Sequence, residues 1–306
     1  MMRSVALVLG GGGAGGNAWE IGVIAGLAEA GLDMTRADLV IGTSAGATTA
    51  AQVLSGMPPA TLFASVLSAP VQSAGQNREQ LPSLPMAEVF ERMRAISAAA
   101  TSVSDLRRAM GAFGLESDVT LGPGATRRRA VVAARLPHPE WPDRPMIVTA
   151  VDAQTGELAA FGRDSGVDLV DAVTASTALP GLVPTVSING RRYIDGGVGS
   201  PDNADLASGH TDVVILSPLG GRDQSPPARG SESSGQFEGL RRFPGTDLAS
   251  QVETLRAEGS HVVVITPDAD SRAAMGANLM DPATRIPAAR AGFAQGNEAA
   301  PGVSFR

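Results

Sequence analysis

Five apolar residues, Val5-Ala6-Leu7-Val8-Leu9, run directly into Gly10-Gly11-Gly12-Gly13-Ala14-Gly15-Gly16. No other feature restricts the fold as much. An apolar run without polar alternation is the pattern of a strand buried on both faces. Behind the glycines, Ala18 to Ala30 carries Ile21, Ile24 and Leu27 at helical spacing, and Gly31 closes that helix. A second buried strand at Leu39 to Gly42 and a second helix at Ala45 to Leu54 follow. Strand, helix, strand, helix in this order requires parallel strands joined by right-handed crossovers. The expected class is α/β, with a mixed, mainly parallel central sheet flanked by helices.

The rest of the chain reads less regularly. Met86, Val89, Phe90, Met93 and Ile96 predict a helix within Met86 to Met110, and residues 57–145 as a whole read as a helical cap or insertion. That region breaks at Gly122 to Gly124 and continues through Arg127-Arg128-Arg129 into the proline-rich Leu136 to Pro145. Strands are expected at Met146 to Val151, Leu158 to Gly162, Thr185 to Ile188, Arg192 to Ile194, Asp212 to Leu216 and His261 to Thr266. Helices are expected at Asp168 to Ala178, at Leu248 to Glu258 and in the alanine-rich tail from Arg272, which frays after Gly296. Residues 220–245, rich in Ser, Gly, Pro and charge, predict a mobile loop. The whole of 1–306 reads as one domain, a size at which a core is easily buried.

Composition removes several function classes. There is no cysteine, hence no disulfide, thiolate nucleophile or cysteine metal site. All 24 basic residues are arginine, so there is no Walker A lysine, Schiff base or Ser–Lys dyad. Three histidines, His138, His210 and His261, do not make a His-rich metal cage. No metal and no organic cofactor are expected. A net charge of -7 and 4% aromatics argue against a nucleic-acid partner. No stretch has the length of a membrane span, and the apolar start is too short for a signal peptide. It reads as the first strand of a cytoplasmic protein, with secretion left open. Transient contact with a membrane or micelle surface is the most that the low aromatic content and the lack of a basic amphipathic helix support.

Gly42-Thr43-Ser44-Ala45-Gly46 matches G-x-S-x-G between a buried strand and a helix, the context the motif requires. The serine sits on a tight turn, so its neighbours must be small. The following helix N-terminus aims amide dipoles at the hydroxyl and at any developing oxyanion. The plain reading is a serine N-cap between two glycines. The Gly10–Gly16 run has two readings. Gly11, Gly13 and Gly16 fit a dinucleotide G-x-G-x-x-G, but the end of the second strand offers Gly42-Thr43 where a ribose-binding acid belongs. Alternatively, the glycine amides form an oxyanion hole beside the serine, since parallel neighbouring strands bring both turns to one sheet edge. Asp195-Gly196-Gly197 follows a strand pattern and places an acid on a tight loop; alone it is an ordinary turn signal.

Together these three motifs resemble the patatin-like phospholipase family, which has a Gly-rich oxyanion loop, a G-x-S-x-G elbow and a later D-G-[GA]. Ala175-Ser176-Thr177-Ala178-Leu179-Pro180-Gly181-Leu182-Val183-Pro184 is similar to the family's A-S-x-A-x-P-x-x-x-P segment. The resemblance implies hydrolysis of acyl esters in lipids by a Ser–Asp dyad without histidine, through an acyl-enzyme. By position, Ser44 is then the nucleophile, Asp195 the general base, and Gly11, Gly12 and Gly13 line the oxyanion hole. The sequence departs from the family twice. Gly15 stands where Arg or Lys is usual, and Pro201-Asp202-Asn203 replaces an N-x-P element.

Three alternatives stay open. The order Ser44, Asp195, then His210 or His261 also suits a His-assisted serine hydrolase acting on small soluble esters, although both histidines fall at strand beginnings, opposite the elbow edge. A dinucleotide-binding module and a catalytically inactive binding protein are the others. Lesser features take plain readings. Arg127 to Arg129 read as a solvated surface run, with contact to anionic headgroups as the alternative, Trp19 as a core, interface or acyl-channel residue, and the Met/Phe stripe at 86–110 as lid or helix packing.

Overall fold

In a computed structural model, residues 3–69, 85–122, 125–220, 237 and 239–305 are described. The first half contains β1 (Val5–Leu9), α1 (Gly13–Glu29), β2 (Leu39–Thr43), α2 (Ala45–Val53), α3 (Pro59–Ser68), α4 (Met86–Ala99), α5 (Val103–Leu121) and α6 (Ala125–Ala133). The second half contains β3 (Met146–Asp152), β4 (Leu158–Phe161), α7 (Leu169–Ser176), β5 (Val186–Ile188), β6 (Arg191–Asp195), β7 (Asp212–Leu216), α8 (Leu248–Ala257), β8 (His261–Ile265), α9 (Ala269–Met275) and α10 (Arg285–Ala299).

The strands form one mixed sheet in the order β5-β6-β3-β2-β1-β7-β8, with β4 also on β3. The run from β3 to β8 is parallel, while β4, β5 and β6 are antiparallel. β1 is an interior strand, which explains its unbroken apolar sequence. Leu7 and Leu9 enter a core shared with α1, α2 and α10, and Ala6 and Val8 enter a second core on the other face, with Val252 and Leu255 of α8. Helix α1 is buried around most of its circumference and is therefore apolar all round rather than striped.

Two helix readings are corrected by the structure. The helical pattern within Met86 to Met110 is not one continuous helix but two, broken at Ala100–Ser102. Ser102 is extended and its side chain accepts from the Asp105 N–H, capping α5. An N-cap hydrogen bond competes effectively with helix continuation. The tail does not fray after Gly296: α10 continues to Ala299, and Val303 beyond it is buried. Gly296 lies where α10 meets the Val23 backbone of α1, so the glycine permits a helix crossing rather than ending a helix.

In 57–145, α3 packs on α1 and α10, α6 packs on α7, and α4 and α5 build a third apolar cluster with β3 and β6. The loop expected at 220–245 lies largely outside the described residues. At its end, Phe243 is buried in this third cluster, and Phe237 meets Phe90 edge-on with ring centroids 5.4 Å apart. Among the described residues, no helix is long and apolar enough to cross a membrane.

Candidate active site

The register of three strands brings the serine and the acid together. Thr43 at the end of β2 pairs with Thr149, and Ala150, the next residue on β3, pairs with Asp195 at the end of β6. β6 runs antiparallel to β3, so its C-terminal residue returns to the edge where β2 ends. Ser44, next after Thr43, therefore meets Asp195 across 151 residues of sequence, and its Oγ donates to Asp195 Oδ2 at 2.8 Å. Gly197 N–H donates to the other oxygen, Oδ1, at 2.8 Å. Asp195 is buried, and that burial pushes its carboxyl up to about 6 against the opposing pull of the Gly197 amide, the Ser44 hydroxyl and the Arg128 charge.

Ser44 has φ 53 and ψ -114, a positive φ that a non-glycine residue adopts at a cost of about 1–3 kcal/mol. The turn is held from several sides. A Cβ at Gly46 would collide with the Leu9 carbonyl, so only glycine lets α2 start this close to β1. Ser44 N–H donates to Ser176 Oγ at 2.8 Å, Asp195 N–H donates to Ala178 O at 2.9 Å, and Gly196 N–H donates to Ser176 O at 3.2 Å. The Ala175–Pro184 segment thus ties the elbow to the acid loop. Asn203 does the same from behind, with Nδ2 donating to Thr43 Oγ1 at 3.0 Å and to Gly196 O at 3.1 Å. Neither Ser176 nor Asn203 stood out as a functional residue in the sequence. Their signal was present only as the motif-like segment and the Pro201-Asp202-Asn203 departure.

Gly11, Gly12 and Gly13, expected to line an oxyanion hole, behave differently. Gly11 N–H is already donated to Pro201 O at 2.8 Å, which fixes the loop. Gly12 and Gly13 lie at the start of α1, and their N–H groups have no hydrogen-bond partner among the described residues. Gly13 has φ +62, and a Cβ there would meet Leu279 O at 2.7 Å. The Ala45 N–H at the start of α2 is likewise without a partner among the described residues. Gly15, where the family usually has a cation, faces the start of α10: a Cβ there would lie 3.1 Å from Thr284 Oγ1.

Ser44, Asp195 and Gly11 to Gly13 line one cavity of about 560 Å³, within the ~300–1,000 Å³ range of small-molecule sites. One wall is apolar and continuous with the third cluster: Met93, Leu106, Met110, Leu179, Leu182 and Val198. The Met/Phe stripe therefore serves packing and cavity together. The other wall is polar and includes Arg128, which corrects the reading of Arg127 to Arg129 as a solvated run. Arg129 pairs with Asp168 and Asp171 on the outside, whereas the Arg128 Nε is buried. Trp19 is fully buried, with its indole N–H on Gln295 Oε1 at 2.9 Å, and lies outside the cavity lining. His210 and His261 are at the opposite strand ends. Asp212 pairs with His261 and with Val5, so the length of a five-residue strand, about 13 Å, separates them from the glycine turn. Among the described residues, no group of three or more His, Asp or Glu could hold a metal ion.

The family model described as Patatin-like phospholipase matches residues 7–208, well over half of the chain and inclusive of all three motifs. The chain belongs to this family. Membership implies lipid acyl hydrolase activity. Among solved structures, VipD from Legionella pneumophila is similar at 13% identity and a TM-score of 0.46, with 98% of this chain and 67% of VipD covered. The type III effector protein ExoU is similar at 17% identity and a TM-score of 0.35, with 96% and 53% covered. Full-length ExoU of Pseudomonas aeruginosa in complex with full-length SpcU gives 17% identity, a TM-score of 0.35, and 94% and 51% covered. The chain thus spans about half the length of ExoU. Comparison with curated proteins finds none that matches.

Proposed function

We propose that this patatin-like protein is a carboxylic ester hydrolase of the phospholipase A type, with Ser44 and Asp195 as a catalytic dyad. The observation that carries the reading is the 2.8 Å hydrogen bond from a strained nucleophile-elbow serine to a buried carboxylate at a cavity. A serine hydroxyl needs a base to take its proton, and a carboxylate raised to about 6 is a better base than an ordinary one while still ionised at neutral pH.

In the first half-reaction, Ser44 Oγ attacks the ester carbonyl and its proton passes to Asp195 Oδ2. The N–H groups of Gly12 and Gly13 hold the oxyanion, with Gly11 acting as the tether of their loop. The tetrahedral intermediate expels the alcohol, which takes the proton from Asp195, and leaves an acyl-enzyme. Water, deprotonated by Asp195, then attacks the acyl carbonyl. Collapse of the second intermediate returns the proton to Ser44 and releases the fatty acid. The apolar wall from α4, α5 and residues 179–183 takes the acyl chain, so the helices of 57–145 act as the cap of the site. The partner is a lipid or another acyl ester, met at a membrane or micelle surface only transiently. The placement of His210 and His261 favours the dyad over a triad.

The test is hydrolysis of a p-nitrophenyl ester series by wild type, Ser44→Ala, Asp195→Asn and a His210→Ala/His261→Ala double variant, with fluorophosphonate labelling alongside. The expected result is loss of turnover in the first two variants, retention in the third, and a label on Ser44. Activity that dies with a histidine would replace the dyad by a triad. A folded wild type with neither turnover nor label would remove the enzyme reading.

A further inference from the structure

The chain carries a net charge of -7, yet its cavity is cationic. Five arginines and, among the described residues, only one carboxylate, Asp195, line it. Two of the five are engaged elsewhere. Arg241 donates to Ala100 O and stacks on Phe243, and Arg242 faces Asp202 and Asp247. Of the other three, Arg128 on α6 shares the charge of Asp195, whereas Arg135 just beyond it and Arg285 at the start of α10 face no carboxylate among the described residues. Arg128 donates from Nη2 to Thr177 Oγ1 at 3.1 Å, while its buried Nε has no partner among the described residues. Arg285 donates to the neutral Asn17 Oδ1 at 2.9 Å. The Arg135 carbonyl accepts from Gln52, but its guanidinium makes no hydrogen bond or ion pair among the described residues.

These cations oppose one another. Burial lowers the pKa of Arg128 and Arg285, and the Arg135 charge lowers both further, while the Asp195 charge raises that of Arg128. A cluster of like charges with spare N–H donors, Arg128 and Arg285 part-buried in the cavity wall and Arg135 exposed at its edge, is suited to an anion. Guanidinium groups present planar forked donors that match a phosphate. A choline or ethanolamine ammonium, by contrast, would find among the described lining residues no carboxylate except the one bonded to Ser44.

We propose that Arg128, Arg135 and Arg285 bind the phosphate of the substrate, so that the site selects net-anionic phosphorylated acyl esters over zwitterionic and neutral ones. The proposal rests on the ester-hydrolase reading of the same cavity, and supplies its headgroup side opposite the apolar acyl wall.

The experiment compares hydrolysis of monoacyl glycerol 3-phosphate, the choline-headed monoacyl lipid and the uncharged monoacylglycerol, all of one chain length. Wild type, Arg135→Gln, Arg285→Gln and the control Arg129→Gln are assayed. Inorganic phosphate and glycerol 3-phosphate are tested as competitors of a neutral p-nitrophenyl ester, and their binding is measured directly by calorimetry. Arg135 is open to solvent at the cavity edge, so its substitution leaves folding intact. The expected result is a kcat/KM for the anionic lipid about ten- to a hundredfold above the other two, lost by a similar factor in Arg135→Gln and Arg285→Gln, the span of one charge-assisted hydrogen bond. Arg129→Gln keeps the preference. Competition by both soluble phosphates with equal turnover of all lipids would keep the phosphate site and assign it to a free phosphate rather than a headgroup. Equal turnover with no competition and no calorimetric binding would overturn the proposal. If no ester is hydrolysed and Ser44 takes no fluorophosphonate, the hydrolase reading fails. Phosphate binding lost in Arg135→Gln would then still stand as evidence for the arginine site.

Discussion

Asp195 and Asp202 lie seven residues apart on one loop, are both buried, and both have their carboxyl pushed up to about 6 by burial. They are nonetheless different objects. Asp195 has one oxygen on the Ser44 hydroxyl and the other on the Gly197 amide, and it lines the cavity. Asp202 sits behind the glycine turn, with Oδ1 next to Gly10 and no hydrogen-bond partner for that atom among the described residues, and its charge adds to burial in raising the pKa of Glu20. Burial and an elevated pKa therefore do not identify a base. What separates the two acids is the elbow serine's hydroxyl in hydrogen-bond contact and a place in the cavity wall.

The sharpest way to break this comparison is to neutralise each acid in turn. Asp195→Asn, like Ser44→Ala, is expected to lower ester turnover by at least about a thousandfold, whereas Asp202→Asn costs less than about tenfold. Steady-state kinetics on a neutral p-nitrophenyl ester decides it; comparable losses would make the two acids one catalytic unit.

Stability gives the opposite pattern, with the two acids alike. A carboxyl raised from 3.8 to about 6 binds its proton more tightly in the folded state. Its stabilising contribution is full below pH 4 and is lost as pH rises through 6, a cost of about 3 kcal/mol for each acid at pH 8. Either Asp→Asn variant removes that cost. Both are expected to melt roughly 5 °C above wild type at pH 8 and level with it at pH 4. A thermal melt series in which the gain persists at pH 4 would trace it to packing instead of ionisation. Asn203→Ala, on the same loop, goes the other way. It takes the Nδ2 donor from the Gly196 and Ser200 carbonyls and one of two donors from the Thr43 hydroxyl, which keeps Thr149 Oγ1, and a loss of about 1–3 kcal/mol in denaturant melts is expected.

The same contrast explains how far the sequence could be read. β1, the glycine turn, β2 and the elbow were legible because each is local: a buried strand, a turn and a helix start leave signals within a few residues. The parallel half of the sheet and the starting ends of His210 and His261 follow from that pattern. The pairing of Ser44 with Asp195 came from resemblance, because it depends on β6 running antiparallel to β3, and register between distant strands leaves no periodic trace. The spent N–H of Gly11 was invisible for the same reason: its acceptor, Pro201, is 190 residues away. Arg128 was misread because a run of three arginines on a nine-residue helix looks like a solvated face, and only packing of α6 on α7 turns the middle one inward. The break at Ser102 was legible in principle from Ser-x-x-Asp, a cap signal hidden inside an apolar stripe.

The finest separation of the two acids uses the arginine beside each. Arg128 lowers the Asp195 pKa, and Arg242 lowers that of Asp202. If Asp195 is the base, kcat/KM on a neutral ester falls as pH drops through about 6, since only the ionised carboxylate accepts the Ser44 proton. Arg128→Gln removes a positive charge that favours the ionised form, so the acidic limb must move to higher pH, by roughly 0.5–1 unit for a partly screened neighbouring charge. Arg242→Gln acts on the acid that touches no substrate and leaves the limb in place. A neutral ester is essential, because an anionic one would add its own binding to the arginines to the profile. A limb that moves with Arg242 and not with Arg128 would transfer the titrating role from Asp195 to Asp202. A limb that moves with neither would place it on a group outside this loop.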